Sequence, residues 1–214
     1  MIQFAIVNAT AISLETGCDY AECAELAWPL YKQLRIGYDV CAAAPIVTVD
    51  EWRAENRTAR KRADRAWRRG YDAITIRRHE RADEIHAINT SADVRQGRPM
   101  TAGYLERPSE TPLPDYPCER HAIHTYGVET ADGELVAYLW LYRAGQLALV
   151  SQILGHADHL ENEIMYLLWQ GMIQHESGDP DGFVVYNRWD SGSDGLRFFK
   201  ERLGLERVEV AWLP

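Results

Sequence analysis

Residues 126–154 read YGVETADGELVAYLWLYRAGQLALVSQIL, and apolar, β-branched and aromatic residues dominate the stretch. Such runs, bounded by turn residues, are typical of β-strands. With the residues just before it, the pattern predicts three strands, at 121–130, 134–143 and 146–154. The short segments ADG and AG between the runs suit the tight connections of hairpins. The sequence therefore predicts three consecutive antiparallel strands.

The chain that follows alternates between helix and strand patterns. Helices are predicted from about His159 to His175 and over 193–204, where Gly204 ends the second helix. Strands are predicted at 182–187 and 206–213. The expected fold class is therefore α/β, with a mixed and mainly antiparallel sheet flanked by helices.

The first half of the chain is predicted to form an extension or lobe over 1–91. It contains predicted strands at 1–7, 41–49 and 71–78 and predicted helices at 19–34, 51–69 and 81–91. Asp50 is the predicted N-cap of the long helix 51–69, with Trp52 and Trp67 on its apolar face. Residues 92–120 are rich in proline and glycine and form a predicted substrate loop, because long loops often carry function. The remaining domain spans 121–214.

The composition is that of an ordinary globular protein, with 46% hydrophobic and 26% charged residues in 214. No apolar run reaches the roughly 18 residues that a membrane helix needs. The N-terminal MIQFAIVNATAISLETG lacks the basic start of a signal peptide. We therefore expect a cytoplasmic protein with no membrane partner. Four cysteines, with no CxxC pair, are expected to be free thiols: Cys18, Cys23, Cys41 and Cys118.

The net charge of −9 is unevenly distributed, because residues 51–80 carry +5 and the rest of the chain −14. The overall charge argues against a general nucleic-acid coat. The arginine-rich helix is nevertheless a candidate contact for tRNA or DNA through residues 53–69. The alternative is an amphipathic helix whose solvent face is rich in arginine.

The stretch GLRFFKERLGLERVEV, at 195–210, resembles the late signature of the GNAT acyltransferase superfamily, a helix followed by a final strand. The order of three antiparallel strands, helix, strand, helix and strand over about 120–213 is also similar to that superfamily. The basic helix and RQGRPMTAGY more loosely resemble FemAB-like aminoacyl transferases. The resemblance implies a GNAT-like fold and transfer of an acyl or aminoacyl group to an amine.

The resemblance also implies an acyl-CoA cofactor, held where strand 146–154 meets the next helix. The cofactor-binding residues implied are Val150, Gln152, Gly155 and Asn162. A pyrophosphate there needs a glycine-rich loop whose backbone N–H groups approach it closely. This chain has HADHLENEIM instead, and its acids repel a pyrophosphate while complementing the helix dipole. No metal is expected.

Four residues are predicted to be catalytic. His156 and His159 are candidate general bases, because neutral imidazole titrates near working pH. Tyr186 is a candidate proton donor, since Phe199 stands where the superfamily often has a tyrosine, and Asp190 is a candidate base or holder of an amine. The alternatives are a polar helix start for the histidines and a core edge followed by a turn for Tyr186 and Asp190.

Six residues are predicted to bind substrate: Arg95, Gln96, Arg98, Tyr104, Ser151 and Trp189. The two arginines indicate an anionic substrate group, because a guanidinium group binds carboxylate or phosphate in a bidentate manner. Surface ion pairs are their alternative role. Ser151 lies on the strand against which a cofactor is expected and can bond a thioester carbonyl or a substrate.

These residues predict an acyltransferase in which an amine attacks a thioester or ester carbonyl, a base takes its proton and strand N–H groups stabilise the oxyanion. Its expected partner is a small-molecule amine or aminoacyl substrate. One alternative is a nucleic-acid-modifying transferase that acts on tRNA or on a modified DNA base. The other is a GNAT-fold binding module without catalysis, which the missing glycine loop and Phe199 favour.

Overall fold

The computed structural model describes residues 3–6, 10–13, 23–27, 30, 40–177 and 182–212. Within them lie eleven strands: β1 Gln3–Ile6, β2 Thr10–Ser13, β3 Val40–Pro45, β4 Asp72–Thr75, β5 Val94–Arg95, β6 Arg98–Pro99, β7 His121–Glu129, β8 Leu135–Ala144, β9 Leu147–Gly155, β10 Phe183–Arg188 and β11 Glu206–Trp212. The α-helices are α1 Val49–Glu55, α2 Arg57–Arg68, α3 Ala82–Thr90, α4 Ala102–Leu105, α5 Ile164–Glu176 and α6 Asp194–Arg202. Two 3-10 helices span Arg78–Arg81 and Ala157–Asn162.

Nine of the described strands form one sheet in the order β2-β1-β11-β3-β10-β9-β8-β7-β4. The pair β9–β10 is parallel, and every other neighbouring pair is antiparallel. This confirms the predicted mixed, mainly antiparallel sheet. Because β3 is hydrogen-bonded between β10 and β11, the N-terminal part of the chain contributes strands to the same sheet as the C-terminal part. The domain boundaries at 91 and 120 remain predictions.

The sheet is covered on both faces, and alternation along β8 shows which residues face which layer. Leu139 and Leu141 lie in the main core with α1, α2 and α5. Tyr138, on the opposite face, packs with Ile85 of α3 and its neighbours. A further apolar group on the sheet contains Leu26, Ala27 and Leu30. No helix among the described residues has the length and apolar character needed to cross a bilayer.

The predicted helix over 51–69 is wrong in its continuity and in its cap. It is divided into α1 and α2 at Asn56, whose φ of −100° and ψ of 56° are not helical. Thr48, rather than Asp50, is the N-cap. Its hydroxyl accepts from the backbone N–H of Glu51 at 3.3 Å, and the Glu51 carboxylate accepts from the Thr48 backbone N–H at 2.9 Å. This reciprocal capping box fixes the helix start.

The two tryptophans predicted on the apolar face of this helix have different environments. Trp52 is buried, and its indole N–H donates to the Leu203 carbonyl oxygen at 2.8 Å. Trp67 is 64% exposed, so it does not share the buried face of Trp52 and the alanines, on which the sequence placed it. The buried face of α2 consists of alanines, of which Ala63 and Ala66 have no exposed surface. These small side chains bring α2 close to α5, and the larger indole lies outside that contact.

Several predicted boundaries also differ from the structure. The helix expected from His159 begins at Ile164 instead, after a 3-10 helix and the left-handed residue Glu163. The loop over 92–120 is not wholly irregular, because it contains the hairpin β5–β6 and the short helix α4. Gly204 does follow α6, with a φ of 84°, as predicted. Cys18 and most of the helix predicted at 19–34 lie outside the described residues.

Glu176, at the end of α5, is a buried carboxylate that connects this helix to β7 and β8. Its Oε2 accepts from Arg143 Nη1 at 3.1 Å, its Oε1 lies 2.6 Å from His124 Nδ1, and the Tyr126 hydroxyl also donates to Oε1. Burial raises the pKa of Glu176. The hydrogen bonds from His124 and Tyr126 and the charge of Arg143 outweigh burial, so this pKa lies below its ordinary value near 4.5.

We expect Glu176→Gln to lower the free energy of unfolding by about 3–5 kcal/mol at neutral pH, because it removes the negative charge facing the buried Arg143. Urea denaturation measures the loss. Glu201→Gln, which removes an exposed carboxylate of α6, is the control and should change stability by less than about 0.5 kcal/mol.

The effect of Glu176→Gln should also depend on pH. A lowered folded-state pKa means that the ionised carboxylate stabilises the protein above its ordinary pKa, and that this contribution disappears as the pH falls through the lowered value. The stability difference between wild type and variant should therefore shrink on acidification below about pH 4.5. A difference that stays constant down to the acid transition would contradict this assignment.

Candidate active site

The site begins where β9 and β10 separate. The two strands are paired at Leu147–Phe183, Ala148–Val184 and Leu149–Val185, and no further pair is formed although both strands continue. A bulge lies at the same level, since Trp140 of β8 opposes Gln152 while Leu141 opposes Val150, which leaves Ser151 as an extra residue. Bulges bend the strand that carries them. The bend and the lost pairing open the sheet between β9 and β10.

The opening leads into a cleft of about 810 Å³. Its walls are the ends of β9 and β10, the hairpin β5–β6, the segment from Ala157 to the first turn of α5, and α6. Eight of the predicted site residues line it: Arg95, Gln96, Arg98, Tyr104, Ser151, Gln152, Gly155 and Tyr186. The other predicted site residues lie outside this lining: Val150, His156, His159, Asn162, Trp189 and Asp190.

The histidines of the junction are directed away from the cleft by the 3-10 helix. His159 Nδ1 lies 2.8 Å from the Tyr71 hydroxyl, and the side-chain amide of Asn162 donates to the same hydroxyl at 3.0 Å. The ring of His156 meets that of His159 edge-on, with centroids 5.6 Å apart. The structure therefore places His159 and Asn162 at Tyr71 and His156 against His159, and none of the three lines the cleft.

The other three predicted residues that do not line the cleft lie in the core or at the surface. Val150 is buried in the main core, because alternation along β9 directs it away from the cleft. Trp189 packs against the same core. Asp190 is exposed on the turn after β10, where the Arg188 guanidinium, 3.3 Å away, holds the pKa of that carboxyl below its usual range. The buried Lys200 donates to carbonyl oxygens of this turn, including Ser191 O at 3.4 Å.

The hairpin β5–β6 spans the cleft. Its two-residue turn, Gln96 and Gly97, has φ values of 52° and 75°, the positive values of a tight hairpin turn. At its base, Arg95 Nη1 donates to the Gly155 carbonyl oxygen at 2.9 Å, which ties the hairpin to the end of β9. At its tip, a Cβ placed on Gly192 would lie 2.6 Å from Gln96 Oε1, so the tip rests on the turn after β10.

The two predicted arginines of this hairpin differ in what they can bind. Arg95 Nη2 donates to the Ile88 carbonyl oxygen and to Ser91 Oγ, both at 2.8 Å, so its terminal nitrogens hold backbone and hydroxyl groups in place. Arg98 is exposed, lines the cleft and forms no ion pair with any described residue. Of the two hairpin arginines, Arg98 is therefore the one whose guanidinium group can bind an anionic group of a ligand.

The acid that directly precedes α5 is neutralised within the protein. Glu163 directly precedes the helix with a φ of 66°, and its side chain is only 12% exposed. Its two carboxylate oxygens form ion pairs with Arg62 and Arg65 of α2, each at 3.1 Å. A carboxylate beside a helix N-terminus also complements the helix dipole. Sequence reasoning found the acid but not its partners, which lie about a hundred residues earlier in the chain.

Besides Tyr104, two phenols line the cleft. Tyr186 is 7% exposed, and burial raises its pKa, so the hydroxyl stays protonated and can donate a proton or a hydrogen bond. Tyr166 of α5 contacts Phe199 edge-on, with ring centroids 5.1 Å apart, and the Arg62 guanidinium lies 5.2 Å from its ring centre. Sequence reasoning missed Tyr166, because it sits inside an apolar helical run that gives no sign of a site.

A smaller pocket of about 340 Å³ adjoins the cleft and shares Tyr104 and Gln152 with it. Its lining includes Arg78, whose guanidinium carbon lies 3.9 Å from the centre of the Trp140 ring. Arg78 forms no ion pair with a described residue, and burial lowers its pKa. The site thus has a main cleft and a cationic side pocket.

No family model and no curated protein matches the chain. Among solved structures, it is similar to the C-terminal domain of a protein named as a lysylphosphatidylglycerol synthetase from Agrobacterium fabrum, with a TM-score of 0.51 and 14% identity over 80% of this chain and 58% of that one. A GCN5-related N-acetyltransferase from Kribbella flavida gives a TM-score of 0.40 and 15% identity over 68% and 51%. L-PGS from Bacillus licheniformis gives 0.42 and 16% over 86% and 63%.

The chain therefore spans between 51% and 63% of the length of these structures. At such identities the likeness concerns the fold. Taken with the order of strands and the single parallel pair among the described ones, it confirms the predicted GNAT-like α/β fold.

We expect Glu163→Gln to raise the affinity for inorganic pyrophosphate about tenfold at low salt, or roughly 1.4 kcal/mol. The substitution removes a like charge and leaves Arg62 and Arg65 beside a helix N-terminus, which is favourable for an anion. Isothermal titration calorimetry measures the change. Glu161→Gln, which removes an exposed carboxylate of the same segment, is the control, and an equal gain in both variants would contradict the role assigned to Glu163.

Proposed function

We propose that the chain is an acyl or aminoacyl transferase whose acceptor is an amine. The observation that carries the proposal is the separation of β9 and β10 beyond Leu149 and Val185, which turns the edge of β9 toward the cleft. An extended donor with amide groups can add to such an edge as an extra strand. Backbone N–H groups of the same edge can then stabilise the oxyanion formed when the amine attacks.

An aminoacyl ester fits this site better than acyl-CoA. A pyrophosphate at the start of α5 would meet Glu163, whose carboxylate already occupies Arg62 and Arg65. The synthetase of similar fold is named for lysylphosphatidylglycerol, a compound that carries an aminoacyl group. The donor that we propose is therefore an aminoacyl-tRNA.

The outer face of α2 supports an RNA-linked donor. Arg57, Lys61 and Arg68 are exposed there, beside the exposed ring of Trp67. Cations that contact phosphates, together with an aromatic ring on which a base can stack, are the usual elements of a single-stranded RNA surface. The opposite face of α2 packs against the core of the protein, so only the outer face is available to RNA.

Within the cleft we assign three roles. Tyr186 donates a proton to the leaving group, and the Ser151 hydroxyl at the bulge bonds the donor carbonyl. Arg98 binds an anionic part of the donor or the acceptor. The amine loses its proton to one of the two acids that line the cleft, Glu161 or Glu163.

Thermal unfolding at low salt with acetyl-CoA, free CoA, aminoacylated tRNA and bare tRNA tests the donor. A ligand that binds the folded state at about 100 times its Kd stabilises it by about 2.7 kcal/mol, which a melting curve resolves. We expect the largest shift with aminoacylated tRNA. The variant Arg68→Ala should reduce it, whereas Arg207→Ala, which removes an exposed arginine of β11, should not. A shift with the CoA compounds alone would contradict the donor, and no shift at all would favour a binding module.

Tyr186→Phe tests the chemistry, because it removes the hydroxyl and keeps the ring. Loss of a proton donor should lower kcat by about 10²–10⁴-fold with little change in KM. The assay follows transfer of a labelled aminoacyl group from the tRNA that shifts the melting curve. Tyr142→Phe, on β8 and outside the cleft, is the control. Equal kcat values for wild type and Tyr186→Phe would remove Tyr186 from the mechanism.

A further inference from the structure

Two sulfurs and an imidazole converge at the end of the sheet that lies away from the cleft. Cys118 Sγ is 3.3 Å from Cys23 Sγ and 3.1 Å from His121 Nδ1, and the three atoms lie within 4.8 Å of one another. Cys23 and His121 are buried, and neither cysteine is in a disulfide. We propose that Cys23, Cys118 and His121 bind a zinc ion, with a water molecule as its fourth ligand.

The distances suit zinc. With bonds of about 2.3 Å to sulfur and about 2.0 Å to nitrogen, a tetrahedral ion separates two sulfurs by about 3.8 Å and a sulfur from a nitrogen by about 3.5 Å. The observed separations of 3.3 and 3.1 Å are shorter by about half an ångström, so small outward movements of the side chains make room for the ion. Thiolate and imidazole are the ligands that select zinc over magnesium or calcium.

The local chain prepares two of the ligands. Cys118 and His121 are separated by two residues, a short spacing typical of ligand pairs in zinc sites. The backbone N–H of His121 donates to the Cys118 carbonyl oxygen at 3.3 Å, and this turn directs both side chains to the same point. This spacing is the signal that the sequence carried for a metal site, although no metal was expected.

The position of the cluster gives the ion a structural task. Cys23 belongs to the helical segment 23–27, and 95 positions separate it from Cys118 at the end of the long loop. His121 is the first residue of β7 and opposes Ala144, whereas the cleft lies near Gly155, which opposes Ala137 at the other end of β8. The ion would therefore fasten the N-terminal segment and the loop to the sheet, independently of the transferase site.

A disulfide between Cys23 and Cys118 is the competing use of the two sulfurs. It would require the sulfur atoms to approach to about 2.05 Å. A disulfide has no use for His121, which is fully buried with a ring nitrogen facing the Cys118 sulfur. The presence of this third ligand atom favours the metal over the disulfide.

The test uses the full chain, purified in zinc and reductant and dialysed against a weak chelator. Elemental analysis should find a single zinc per chain, and the Co²⁺-substituted protein should show the absorption of a cobalt–thiolate bond. Cys118→Ser changes a partly exposed residue and should lower zinc affinity by more than about 100-fold, since even changes outside the ligand set cost 10–100-fold. Cys41→Ala, which removes another buried cysteine, should keep the zinc and the cobalt spectrum.

His121→Ala should lose the metal as well, and circular dichroism separates that loss from unfolding. Two results would overturn the proposal. In the first, the reduced wild-type chain retains no zinc and shows no cobalt–thiolate band. The same chain then forms a Cys23–Cys118 disulfide in air, which the mass spectrum shows as the loss of two hydrogens. The other is equal zinc retention by wild type and Cys118→Ser, which would place the ion elsewhere on the protein.

Discussion

Three pairs of residues between β9 and β10 join the two parts of the sheet. On one side lie β9, β8, β7 and β4, and on the other β10, β3, β11 and the edge strands β1 and β2. Parallel pairing is slightly weaker per residue than antiparallel pairing. The pairing of β9 with β10 ends after Leu149 and Val185. If it continued to the strand ends, the cleft would be closed. The helices packed on both faces therefore help to hold the two parts of the sheet together. Glu176 fixes α5 to the part that contains β7 and β8.

The features that the sequence predicts are those controlled by neighbouring residues. The strands β7, β8 and β9 follow from their apolar runs and from turns with positive φ at Gly133 and Gly145. The division of the basic helix at Asn56 does not follow, because nothing in RAENRTAR requires an interruption. That break accompanies tertiary contact, since the Asn56 side chain lies against Gly204 in the turn before the last strand.

The site was predictable in part for the same reason. Residues near the ends of β9 and β10, such as Ser151 and Tyr186, line the cleft because strand ends face it. The histidines of HADH lie elsewhere, since their direction depends on a 3-10 helix and on Tyr71. From the sequence, the acids at the same junction were predicted to repel a pyrophosphate. The structure resolves that apparent conflict, because the most buried of the acids, Glu163, is paired with two arginines that the sequence places on another helix.

The hairpin β5–β6 has a further consequence. Anchored at Gly155 and resting on Gly192, it connects the end of β9 with the turn after β10. The main cleft and the side pocket meet at Tyr104 and Gln152, and each is large enough to be occupied while the other is filled. For the transferase proposed above, two adjoining compartments favour a ternary complex, in which the group moves directly from donor to acceptor. Such a transferase has no need of a covalent enzyme intermediate that outlives the departure of the first product.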